Sequence, residues 1–111
     1  MENQQLDPQL VQISAQIIVY SGNAREKIDQ ALKAANADDM AGAQKKLEEA
    51  ENDLNQAHHV HMRLLQSESK GDPLKFSILL THAQDTLMVT MSEMHMAKHM
   101  LKLYQKIAEN R

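Results

Sequence analysis

The sequence predicts an all-α protein, an antiparallel up-down-up bundle of three helices, on three observations. Apolar residues recur in alternating steps of three and four through three long segments, the spacing that keeps them on one side of a helix. Only two breaks interrupt those segments, NADD and SESKGDP. The aromatic residues are Phe76, Tyr20 and Tyr104 with no Trp, so Leu, Ile, Val, Ala and eight Met must fill the core, which suits helix packing better than a sheet.

The first helix is expected over residues 8–36. Asp7 and Pro8 supply an N-cap and a first-turn residue, and Leu10, Ile13, Ile17, Tyr20, Ala24, Ile28, Ala31 and Ala35 form its apolar face. Gly22 costs about 1 kcal/mol of helix propensity relative to Ala, and its missing side chain is expected to let a neighbouring helix come close. The second helix is expected over 39–69, with Met40, Ala43, Leu47, Ala50, Leu54, Ala57, His61 and Leu64 inward. Its outer face, Lys45, Lys46, Glu48, Glu49 and Glu51, reads as solvated and supported by pairs four residues apart. Gly71 and Pro73 then stop one helix and start the next, expected over 74–109. Residues 1–7 are expected to form a short flexible tail and residues 8–111 a single domain.

The third helix differs from the others in being apolar on two sides. Phe76, Leu79, Leu80, Ala83, Leu87, Met91, Met94, Leu101, Tyr104 and Ala108 face the intramolecular core. Ile78, Asp85, Val89, Ser92, Met96 and Leu103 form a second stripe nearly opposite. A three-helix subunit can cover only one of these, and 111 residues bury a modest fraction of their surface, so the second stripe is expected to be a subunit interface.

The net charge of -3 arises from 12 basic and 15 acidic residues without a basic stripe, which argues against a nucleic-acid partner. The polar start MENQQLDPQL and the lack of a long apolar run argue against a signal peptide or membrane insertion, and a cytoplasmic location is expected. With no Cys there are no disulfides, thiolate metal sites or thiol nucleophiles.

The chemistry-bearing residues concentrate early in the third helix. Asp85 is a lone carboxylate in the apolar second stripe, and at an interface it would need a proton, a hydrogen bond or a metal. Copies of it converging on a symmetry axis would repel unless shared protons or a divalent cation neutralised them, and carboxylate with water ligands favours a hard ion such as Mg²⁺. His82 lies one turn earlier, at the edge of the stripe. It could be a nucleophile, a general base, a ligand or a packed structural histidine.

The string KFSILLTHAQDTLMVTMSE resembles the signature of the lactose/cellobiose-type enzyme IIA family of the bacterial phosphotransferase system, in which a histidine lies in a HAQDHLM-like motif. IIVYSGNAREKIDQALKAA in the first helix and LNQAH in the second match further stretches of that family in the same order, so the resemblance spans about residues 8–109. It implies a homotrimer of three-helix subunits and a phosphoryl carrier rather than a stand-alone enzyme. His82 would accept phosphate from the phosphocarrier HPr and donate it to a cysteine of enzyme IIB, for uptake of a β-linked disaccharide of lactose, cellobiose or chitobiose type. Asp85 matches the aspartate that binds one divalent cation, expected to be Mg²⁺, on the trimer axis. Gln84 is a candidate for positioning the site or its partners, with a solvated surface glutamine as the alternative. Two positions depart from the family pattern: Thr86 stands where a second histidine is common, and His61 where Gln is common.

His58, His59, His61, His95 and His99 could suggest zinc, but HMAKH lacks the Glu of a metalloprotease motif, and His58 and His59 face different directions. A two-component histidine phosphotransfer module also uses a surface histidine, but THAQDTL does not match its usual string. A non-catalytic helical scaffold would explain the double stripe and leave the ordered motifs as coincidence.

Overall fold

The computed structural model describes residues 7–69, 71 and 77–111. They form three helices, α1 (Pro8–Asn36), α2 (Met40–Ser69) and α3 (Ile78–Glu109). At about 1.5 Å per residue each is roughly 45 Å long, and together they run up, down and up in a slab of 66 × 27 × 16 Å. The expected all-α three-helix bundle is borne out, and α1 packs along both other helices while α2 and α3 share a shorter seam.

Local chemistry sets the helix ends. The Asp7 carboxylate accepts from the Gln9 backbone N–H at 2.9 Å, with Pro8 behind it in the first turn. At the first corner Asp38 takes a left-handed conformation (φ 64°). Asp39 then accepts from the Gly42 N–H at 2.9 Å, and a Cβ at residue 42 would collide with that carboxylate. The third helix begins later than the expected residue 74. Ser77 is extended, and its Oγ accepts from the Leu80 N–H at 3.2 Å, so Ile78 is the first helical residue. Phe76, expected in the core, and the N-terminal tail expected over 1–7, apart from Asp7, lie outside the described residues.

Small residues bring the helices together. Ala24 and Ala31 of α1, Ala43, Ala50 and Ala57 of α2, and Ala83 of α3 are fully buried, with Ile17 and Leu87 the largest fully buried apolar side chains. The expected inward faces of α1 and α2 hold. On α3, however, Met91 and Ala108 are exposed, and Thr90 and Ala97 are buried instead. Thr90 carries a hydroxyl into the core, where it is satisfied inside the helix by donating to the Thr86 carbonyl at 2.7 Å. At Gly22 a Cβ would meet open space, so the expected close approach of a neighbouring helix does not occur among the described residues.

Each seam carries one interhelical ion pair. Arg25 of α1 forks onto Glu93 of α3 at 2.8 and 3.1 Å, Lys27 of α1 meets Asp53 of α2 at 2.5 Å, and Lys98 of α3 meets Glu51 of α2 at 2.8 Å. The Arg25–Glu93 and Lys98–Glu51 pairs are exposed and contribute at most about 1 kcal/mol each, so their main effect is on register, while Lys27–Asp53 is partly buried. Glu51 therefore departs from the expected solvated face. It reaches across to α3, while Lys46 and Glu49 pair on α2 at 3.5 Å, three rather than four residues apart.

Candidate functional site

His82 lies in the second turn of α3, just beyond the Ser77 cap, and its side chain is exposed. The backbone beneath it is well satisfied: Thr86 Oγ1 donates to the His82 carbonyl at 2.8 Å, and Thr81 Oγ1 donates to the Ser77 carbonyl at 3.0 Å. Thr86, the departure noted in the sequence, thus spends its hydroxyl on its own helix. The imidazole stands on a hydrogen-bonded turn and lines neither the groove between Arg25 and Met100 nor the one between Glu51 and Lys98.

Its direction follows from helix geometry. Residues 11 apart on a helix lie about 20° apart around the axis, so His82 shares a flank with Glu93. Glu93 grips Arg25 of α1, and His82 is accordingly on the α1 side. Gln84, two residues on, is turned by about 200° to the opposite flank. There its Nε2 lies 3.2 Å from Nε2 of His61 on α2. Within one chain the structure does not bring His82 and Gln84 together.

His61 is the residue whose contact sequence reasoning missed. It is only 8 % exposed, and burial holds its pKa below the ordinary 6.5, with the nearby His58 charge acting in the same direction. The signal was present in the spacing, since an imidazole on the apolar face of α2 must find a polar partner. The helix register across the seam could not be read from the sequence.

Between the two flanks lies the second stripe, open to solvent. Ile78 is 77 % exposed, Val89 48 %, Met96 51 % and Leu103 59 %, and Asp85 and Ser92 are exposed among them. Among the described residues Asp85 makes no hydrogen bond or ion pair, and no three His, Asp or Glu side chains converge to hold a metal. A single carboxylate is too few ligands for Mg²⁺, whereas one oxygen donor from each of three copies suits a hard ion that keeps several waters. His95 and His99 meet edge to face with ring centroids 4.9 Å apart, and among the described residues no third ligand joins them.

The fold is thus a three-helix module with an exposed imidazole beside an uncovered apolar stripe. The comparisons make that class specific. The chain belongs to the lactose/cellobiose-specific IIA subunit family of the phosphotransferase system, whose family model matches residues 12–105. It is 39 % identical over 106 residues to the lichenan-specific phosphotransferase enzyme IIA component of Bacillus subtilis, covering 96 % of each chain. It is similar to the crystal structure of the cellobiose-specific enzyme IIA of Bacillus anthracis, with 35 % identity, TM-score 0.90, and 99 % of this chain and 100 % of that one covered. It also matches the solution structures of the IIA(chitobiose)–HPr complex of the Escherichia coli phosphotransferase system, with 31 % identity, TM-score 0.76, and 89 % of this chain and 96 % of that one covered. No helix among the described residues is long and apolar enough to cross a membrane.

Proposed function

We propose that the protein is a phosphoryl carrier in which His82 accepts phosphate from phospho-HPr and donates it to a cysteine of an enzyme IIB, in the uptake of a β-linked disaccharide. The observation that carries this reading is an exposed imidazole at the HAQD motif of a chain belonging to the family. A neutral imidazole nitrogen attacks phosphorus without first losing a proton. The bond from phosphorus to the donor's nitrogen breaks as the bond to His82 forms, and the second transfer moves the same group to sulfur. Such transfers need in-line approach and neutralisation of spread charge more than covalent assistance. A surface histidine allows both partners to approach in turn, and they supply part of that neutralisation. The expected location is the cytoplasm, where both partners act.

The working form is proposed to be a homotrimer closed by the α3 stripes. A three-fold arrangement is heterologous, so the α1 flank of one copy meets the α2 flank of the next, and His82 borders a cleft between copies. Three Asp85 carboxylates would share one divalent cation, Mg²⁺ by ligand chemistry, on the axis. The cation would neutralise their repulsion and support assembly. The test is transfer of labelled phosphate from phosphoenolpyruvate through enzyme I and HPr. His82→Gln should take up none, and incorporation equal to wild type would move the acceptor to another residue.

A further inference from the structure

We propose that His61 is a positioning residue of the phosphoryl-transfer site, fixing the carboxamide of Gln84 through the hydrogen bond across the α2–α3 seam. The inference rests on the proposed function and names a residue that acts through another. Two nitrogens lie 3.2 Å apart, and an amide nitrogen donates but does not accept. With the amide in that orientation His61 Nε2 is the acceptor, which assigns its proton to Nδ1 and leaves the ring neutral. Burial favours that same neutral form.

The consequence is rotational. A free surface glutamine samples several rotamers and both faces of its amide, and ordering it costs side-chain entropy. Gln84 is half-buried with one N–H committed to His61. Its amide can no longer turn over without placing an oxygen against a lone pair. The second N–H is then left as a fixed donor on the α2 flank of α3. In the three-fold arrangement that flank faces His82 of the adjoining copy, where a transferred phosphoryl oxygen needs a donor. His61 touches no reacting atom, and its part is to hold that donor in place before the phosphoryl group arrives.

The test is a double-mutant cycle on the rate of single-turnover phosphorylation by phospho-HPr, with His61→Leu, Gln84→Leu and the pair. Losing one positioned hydrogen bond should slow transfer about tenfold in each single variant. The pair should be no slower than either alone, and His61→Gln should recover most of the rate by offering an amide oxygen as acceptor. Thermal melting and light scattering would verify that each variant is folded and assembled. Independent effects that multiply to about a hundredfold, or a fully active His61→Leu beside a slow Gln84→Leu, overturn the proposal alone. A wild-type chain that takes no phosphate removes the function and the proposal with it. Should His61→Leu fail to fold, the ¹⁵N shifts of His61 in the wild-type protein decide. A protonated Nδ1 and bare Nε2 are expected, and the opposite tautomer refutes the clamp.

Discussion

Substituting Val89→Lys tests the proposed assembly and the site together. Val89 is 48 % exposed in the subunit and sits near the middle of the uncovered α3 stripe. Full burial of a valine side chain contributes about 1.5–3 kcal/mol, so covering the exposed half is worth about 1 kcal/mol per copy, or roughly 3 kcal/mol in a trimer. Three lysines forced into the same interface would add an ionic desolvation cost of several kcal/mol, partly relieved if the long stems carry the ammonium groups outward. A total of at least about 5 kcal/mol weakens association by more than about a thousandfold. Val89 is not a member of the buried core cluster, so helicity should be unchanged. Light scattering should show the variant at 12.6 kDa under conditions where the wild type is three times heavier. Phosphorylation of His82 should fall with the assembled fraction, because the cleft would then lack its second wall. A Val89→Lys protein that keeps the wild-type mass, or a wild type that is itself 12.6 kDa, would refute the reasoning.

Three further expectations concern stability and metal. Ser14 and Ser21 of α1 are fully buried, and their hydroxyls have no partner among the described residues, so Ser→Ala at each should raise stability by about 1–2 kcal/mol. A urea midpoint that stays put or falls would count against this. His61 has a folded pKa below its ordinary 6.5, so the unfolded chain takes up the proton first as pH drops. Its contribution is complete above about pH 6.5 and lost as pH falls below that value, with His58 as the neighbouring titrating group on α2 and the uncharged Gln84 across the seam. Melting temperature should decline over that window, and His61→Gln should flatten the decline; an equally steep profile in the variant would show that other groups carry it. For the axial cation, chelation should loosen the wild-type trimer by leaving three carboxylates in mutual repulsion, while Asp85→Leu should stay assembled and indifferent to chelator. A wild-type trimer equally indifferent would dispose of the metal.

Much of this was legible in the residue pattern, for identifiable reasons. The α1 and α2 cores followed from periodicity because each of these helices has one apolar face and its partners cover it. On α3 the same method placed Met91 inside and left Thr90 out. A hydrophobicity pattern counts a threonine as polar and cannot register that its hydroxyl bonds back to the carbonyl four residues earlier. Gly22 misled for a related reason: a missing side chain permits a close approach without creating one, and no described element lies over that position.

By itself the sequence determined the helical class, the two breaks, the double-faced third helix and the histidine to which the chemistry was assigned. These depend on local propensity and spacing along one element, which the order of residues encodes directly. The tertiary structure decided where Gln84 points and what it touches. His82 and Gln84 are two residues apart and belong to opposite flanks, and the nitrogen that holds Gln84 lies 23 positions away on another helix. That pairing depends on the rotation and register of α2 against α3, set by alanine packing along their seams and by the Lys98–Glu51 contact, and no single-helix pattern contains it.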